Sequence, residues 1–108
     1  MGISAVLNIA SSGLQTNTKR LATTANNVAN AGTPGYNRLE TSLTSQPYGG
    51  VSASVSPSNG ATFTDTSNVD LGSELIDMKT AEIGYKANAA VFETGADLWD
   101  VLMSIKKD

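Results

Sequence analysis

The side chains that could carry chemistry in this 108-residue sequence are few, and most of them lie in its last third. Glu74 and Asp77, and again Asp97 and Asp100, are three residues apart, a spacing that places both members of a pair on one face of a helix. Paired carboxylates can perform general acid–base catalysis. The segment Ser104-Ile-Lys-Lys107 has the Ser-x-x-Lys spacing of some acyl-transferring enzymes, but no further motif accompanies it. We therefore interpret these positions as solvated helix faces.

The sequence contains no cysteine and no histidine. Their absence excludes disulfide bonds, thiolate nucleophiles, imidazole bases and the common zinc sites. The seven basic residues are dispersed, so no cluster can neutralise several neighbouring phosphates. No run of about 18 apolar residues could cross a bilayer, and the first residues lack the pattern of a secretory signal. We expect no enzyme activity, no cofactor or metal, no small-molecule substrate, no nucleic-acid partner and no membrane insertion.

The elements that must position these side chains begin with a long N-terminal helix. From Ile3 to about Asn30 there is neither proline nor an acidic residue, and large apolar residues recur every seven positions. This heptad stripe consists of Leu7, Leu14, Leu21 and Val28. A heptad repeat predicts a seam that faces a partner helix in a coiled coil, the alternative being a surface helix that packs on its own domain.

A second heptad stripe predicts a C-terminal helix over roughly Val69 to Ile105. The stripe consists of Leu71, Met78, Tyr85, Phe92 and Trp99, with Leu75 four residues after its first member. Thr66-Ser67-Asn68 offers side chains that could cap the start of this helix. Further apolar residues lie outside the stripe and favour assembly with other chains, unless the middle segment folds over them. These residues are Ile76, Ile83, Val91, Leu98 and Ile105.

The middle of the chain has no charged residue from Thr41 to Thr64 and is interrupted by proline and glycine. Val51 to Val55 alternates apolar with polar residues, and we expect it to pair with Ala61 to Thr64 across a turn at Pro57–Gly60. The sequence therefore predicts a mainly α fold, in which two long terminal helices pair as an antiparallel coiled coil and a short loop or β-hairpin segment connects them. We divide this single structural domain into segments 1–32, 33–66 and 67–108.

A turn motif follows the first helix. Gly35 after Pro34 suits a type II turn, which requires a positive φ, and Tyr36 can anchor the chain as it leaves the helix. The amides near the helix end can satisfy terminal carbonyls or bond to a neighbouring chain. The motif comprises Asn26, Asn27, Asn30, Pro34, Gly35 and Tyr36.

Two stretches resemble the signatures of bacterial flagellar axial proteins, the rod, hook and hook-associated subunits. Ala10-Ser-Ser-Gly-Leu-Gln-Thr16, together with Ala25-Asn-Asn-Val-Ala-Asn30 and Thr33-Pro-Gly-Tyr36, resembles the N-terminal signature. Ser67-Asn-Val-Asp-Leu71, Glu74-Leu-Ile-Asp-Met78 and Tyr85-Lys-Ala-Asn88 are similar to the C-terminal signature. The two signatures occur in the expected order, and the short middle segment is most similar to that of a proximal rod protein.

The resemblance implies a structural subunit whose terminal helices line the export channel of a torque-transmitting tube. Its implied partners are copies of itself, other rod subunits and the flagellar type III export apparatus. Its implied location is the periplasm-spanning basal-body rod, reached without a cleaved signal peptide. A small helical adaptor or chaperone of the export system is the alternative. For the assembly seam we predict Leu7, Leu14, Leu21, Val28, Leu71, Leu75, Met78, Tyr85, Phe92 and Trp99.

Overall fold

The computed structural model describes residues 2–107, with side chains as far as Ile105. It contains helix α1 (Ile3–Ala29), strands β1 (Leu39–Ser45) and β2 (Val51–Pro57), and helix α2 (Leu71–Lys107). This order confirms a mainly α fold with a hairpin between two long helices. The body is elongated and measures 69 × 24 × 15 Å. Within the described residues, neither helix is long and apolar enough to span a membrane.

The two helices pack side by side and run antiparallel. Leu7 lies against Gly95, Gly13 lies against Asn88, and Asn17 lies against Gly84. At the far end of α1, Asn27 bonds to Glu74. The residue numbers of the contacts therefore rise along α1 while they fall along α2, as they must in an antiparallel pair. The same register places the start of α1 opposite Leu98, so that α2 continues for about two and a half further turns without a partner helix.

The fully buried residues of the helices are small or polar rather than large and apolar. Ala10, Asn17 and Thr24 are buried on α1, and Glu74 and Ala81 are buried on α2. The spacing of seven is present, but the buried stripe on each helix is three residues away from the predicted stripe. Small side chains at these positions allow the two backbones to approach closely, and the large apolar side chains flank the contact.

The ten residues predicted for the assembly seam are therefore left partly open to solvent. Leu7, Leu14 and Leu21 are half-buried. The other seven are 39–58% exposed, namely Val28, Leu71, Leu75, Met78, Tyr85, Phe92 and Trp99. Their contact with neighbouring subunits stays a prediction.

The predicted pairing of Val51–Val55 with Ala61–Thr64 is wrong. β2 pairs with the preceding strand β1, from Leu39 opposite Pro57 to Ser45 opposite Val51. Gly49 and Gly50 make this pairing possible because both adopt positive φ angles, 103° and 89°, in the connecting turn. Ala61–Thr64 lies outside any strand.

The start of α2 also differs from the expectation. Asp70 caps the helix, because its Oδ1 accepts a hydrogen bond of 3.0 Å from the Gly72 N–H. The expected capping residues bond elsewhere: the Ser67 hydroxyl donates to the Ala31 carbonyl, and Asn68 Oδ1 accepts from the Arg38 N–H at 2.7 Å. α2 consequently begins at Leu71, and the preceding residues tie the end of α1 to the hairpin.

Candidate functional site

A buried polar junction joins the end of α1, the base of the hairpin and the start of α2. We define it by Asn27, Tyr36, Arg38, Asn68 and Glu74. Asn27 is only 1% exposed and uses all four of its hydrogen-bonding positions within the chain. Its Nδ2 donates to the Leu39 carbonyl at 2.9 Å and to Glu74 Oε1 at 3.1 Å. Its Oδ1 accepts from the Leu39 N–H and from the Tyr36 hydroxyl, each at 2.8 Å.

The charge at the centre of the polar junction is the Glu74 carboxylate, which is 1% exposed. Arg38 Nε and Nη2 both donate to Glu74 Oε1 at 2.9 Å. Arg38 Nη1 also bonds to Glu40 at 3.0 Å, and Nη2 lies 3.5 Å from Asp77. Glu74 Oε2 accepts no hydrogen bond from any residue in the described part of the chain. The buried carboxylate therefore depends on one guanidinium group for its counter-charge.

The turn between α1 and β1 has type II features. Gly35 has a φ of 77°, and the Tyr36 N–H donates to the Thr33 carbonyl at 3.2 Å. The Gly35 N–H donates to the Thr66 carbonyl at 3.0 Å, which ties the turn to the segment before α2. The Tyr36 hydroxyl accepts from Asn26 Nδ2 at 3.0 Å. The turn is thereby fixed at both its backbone and its aromatic side chain.

The remaining members of the turn motif and the base of the hairpin complete the network. Asn30 Nδ2 donates to the Asn26 carbonyl at 2.9 Å, which is a local cap at the end of α1. Asn68 Nδ2 donates to Asn37 Oδ1 at 2.8 Å, and the Ser58 hydroxyl donates to the same oxygen at 2.6 Å. The polar junction thus binds four separate chain segments together.

We expect the Tyr36 phenol to titrate above the usual range of a tyrosine. Burial is the largest effect and raises the pKa of Tyr36; the hydrogen bond from Asn26 lowers it, the negative charge of Glu74 raises it and the positive charge of Arg38 lowers it, so that the pKa is raised on balance. A raised pKa favours the neutral phenol in the folded state, so this contribution to stability is present below about pH 10 and is lost as pH rises through the folded-state pKa. Alkaline absorbance titration of the chain, compared with Tyr36→Phe, measures this pKa. A Tyr36 component at or below the usual range would contradict the prediction.

A second feature of the molecule is the apolar surface of α2. Ala10 and Ala81 are the apolar side chains that the described residues bury almost completely, at 2% and 0% exposure. By contrast, α2 presents large apolar side chains that are 39–69% exposed along its whole length. An exposed apolar surface of this extent marks an interaction site. It comprises Leu71, Leu75, Ile76, Met78, Ile83, Tyr85, Val91, Phe92, Leu98, Trp99, Val101, Leu102, Met103 and Ile105.

The carboxylates considered for catalysis fall into two environments. The interpretation of Glu74 as part of a solvated helix face is wrong, because Glu74 is buried in the polar junction with Arg38 as its counter-charge. Asp77 lies at the edge of the junction beside Arg38. Asp97 and Asp100 are exposed on α2. On the exposed surface of α2, a hydrogen bond from Lys86 and the charge of Lys79 hold the pKa of Glu82 below its usual value.

One segment of the chain is similar to known proteins. The sequence model described as "Flagella basal body rod protein" matches residues 7–37, which is most of α1 together with the turn. The flagellar hook protein FlgE of Brucella suis biovar 1 (strain 1330) is 46% identical over 43 residues, and that of Rhizobium meliloti (strain 1021) is 42% identical over 43. The N-terminal part of the chain is therefore similar to flagellar rod and hook proteins.

The similarity to the hook proteins is confined to one part of this chain and one part of each hook protein. The aligned 43 residues are 40% of this chain and 11% of each hook protein. The segment matched by the rod-protein family contains Asn27 and Tyr36. Two partners lie beyond it: Glu74 accepts from Asn27, and the Asn68 N–H donates to the Tyr36 carbonyl. Arg38, which bonds to Glu74, also lies beyond it.

The turn motif could be predicted from the sequence, but Arg38, Asn68 and Ser67 were not predicted to belong to the same network. One feature of the sequence could have identified Arg38. Arg38 is the only basic residue between Arg20 and Lys79, and it stands directly after the turn motif. A lone cation in a segment with so few charges indicates a specific partner, but the identity of that partner, Glu74, depends on how the two helices pair.

Proposed function

We propose that this chain is a non-enzymatic structural subunit of the flagellar basal-body rod, which polymerises through its two terminal helices. The observation that carries the proposal is the apolar surface of α2, together with the near absence of a fully buried apolar core in the described residues. A chain of this kind gains hydrophobic stabilisation when neighbouring copies cover its helices. The similarity of the N-terminal segment to flagellar rod and hook proteins supports the same role.

In the proposed assembly, the helices form the wall of a tube around the export channel, and the hairpin lies toward its outside. Torque is then resisted by many packed side chains rather than by one hinge. Copies of the chain, other rod subunits and the flagellar type III export apparatus are the proposed partners. The periplasm-spanning rod is the proposed location, and the short hairpin favours a proximal position.

A change at Gly35 distinguishes a rod subunit from an export adaptor. Gly35→Val places a β-branched residue at a φ of 77°, which costs about 1–3 kcal/mol and redirects the chain between α1 and the hairpin. The helix surfaces themselves are unchanged. In a rod subunit we expect rod completion and swimming to fail while the variant is still secreted. An adaptor that acts through its helix surfaces would tolerate the change.

The measurement is complementation of a deletion strain, scored by swimming and by basal bodies in electron micrographs. Gly32→Val is the matched control, because Gly32 has no positive φ and a side chain there meets no atom within 4 Å. Normal motility with Gly35→Val would contradict the structural role of this turn and favour the adaptor.

A further inference from the structure

The middle of the helix pair contains two reciprocal contacts between a glycine and an asparagine. A Cβ atom on Gly84 would lie 2.8 Å from Asn17 Oδ1, and a Cβ atom on Gly13 would lie 2.5 Å from Asn88 Cγ. Each asparagine thus occupies the space that a side chain on the opposite glycine would need. The two contacts use the same pair of residue types in opposite directions.

Each asparagine amide is also held by its own helix. Asn17 Nδ2 donates to the Gly13 carbonyl at 2.9 Å, and Asn88 Nδ2 donates to the Gly84 carbonyl at 2.8 Å. Both helices therefore carry a glycine followed four residues later by an asparagine that bonds back to it. Exchanging the roles of α1 and α2 reproduces the same arrangement, so the contact has an approximate two-fold symmetry.

We propose that these four residues form a clasp that sets the register of α1 against α2. A slip of seven residues in one direction would place Asn17 opposite Val91 and Asn88 opposite Arg20. A slip in the other direction would place Asn17 opposite Asp77 and Asn88 opposite Val6. In either slipped register both asparagines face a side chain instead of a glycine. A buried polar residue is known to specify register in paired helices by this type of mismatch.

The register determines which part of α2 projects beyond α1. In the native register this free end is Trp99–Lys107, which carries exposed apolar side chains at Trp99, Val101 and Leu102. The clasp thereby positions the free end relative to the polar junction at the other end of the pair. The register does not depend on the proposed rod function, because it is a property of the single chain and is tested on that chain.

Reciprocal exchange of the two residue types tests the clasp. Asn17→Gly alone leaves a gap and Gly84→Asn alone forces two amides together, so each is expected to lower the Tm by roughly 5–15 °C. The double variant Asn17→Gly/Gly84→Asn restores one amide against one glycine. We expect its Tm to exceed that of both single variants. A double variant that melts no higher than the less stable single variant, or that does not fold, would overturn the proposal.

Disulfide trapping measures the register itself, since the chain has no cysteine of its own. Leu7→Cys/Gly95→Cys reports the native register, and Leu7→Cys/Leu102→Cys reports a slip of seven residues. With the clasp intact, we expect oxidation to cross-link only the first pair. In the background Asn17→Ala/Asn88→Ala, which removes both amides, we expect the second pair to cross-link as well. Cross-linking of the first pair alone in that background would show that packing volume, not the amides, sets the register.

Discussion

Replacing Arg38 by methionine is expected to lower the free energy of unfolding by about 3–5 kcal/mol, because it leaves a buried carboxylate without its counter-charge. Glu74 is 1% exposed, and both of its bonds to a charged donor come from Arg38. Methionine keeps the apolar stem of the arginine, so the loss is mainly that of the charge and its hydrogen bonds. Chemical denaturation followed by circular dichroism measures the change.

Two further variants distinguish the stability lost with the buried ion pair from the stability lost when any charge is removed. Glu40→Gln removes the exposed partner of Arg38, and we expect it to cost no more than about 1 kcal/mol. Arg38→Met/Glu74→Gln removes both charges and keeps an oxygen that can accept from Asn27 Nδ2, and we expect it to recover most of the stability that Arg38→Met loses. An Arg38→Met variant as stable as Glu40→Gln would contradict the role assigned to the polar junction.

Introducing a charge on the outer apolar face of α2 is expected to abolish polymerisation while leaving the single chain folded. Ile83 is 60% exposed and Leu98 is 53% exposed, so Ile83→Asp/Leu98→Asp places two charges in solvent as long as the chain is alone. In an assembly the same charges would be buried against a neighbour, where an unpaired carboxylate is strongly destabilising. Sedimentation of the purified chain measures polymerisation, its circular dichroism measures folding, and swimming of a complemented strain measures assembly in the cell.

The matched control is Ser104→Asp. Ser104 is exposed and lies on a strip of the same helix that already carries charged side chains, so one more charge there enters a polar surface. The strip consists of Lys79, Glu82, Lys86, Glu93, Asp97 and Asp100. We expect Ser104→Asp to retain polymerisation and motility. Equal loss with Ser104→Asp would show only that α2 tolerates no added charge, and retention with both variants would contradict assembly through the apolar face.

The helices and their direction could be predicted from the sequence because both depend on local patterns. Heptad spacing, the absence of proline and the short connection define two long helices that must run antiparallel. The buried stripe could not be predicted in the same way. The large residues Leu14 and Met78 dominate the apolar pattern, but the closest packing requires small residues such as Gly13, Gly84 and Gly95.

The polar junction shows a similar division between local and long-range information. The turn at Gly35 follows from a local residue pattern. The bond from Arg38 to Glu74 joins residues that are 36 positions apart, and it exists only after the helices have paired. The strand pairing was mispredicted for a related reason: Leu39–Ser45 has a weaker alternation than Val51–Val55, and the glycines in the turn decide which neighbour β2 joins.

The most direct test of the proposed rod subunit is a cryo-electron microscopy map of basal bodies isolated from cells that carry this chain. We expect a helical rod layer in which α1 and α2 of each subunit pair antiparallel, with Gly13 against Asn88, and in which Ile83 and Leu98 are buried against neighbouring subunits. A rod that contains no copy of the chain, or one in which the outer face of α2 remains exposed, would contradict the proposal.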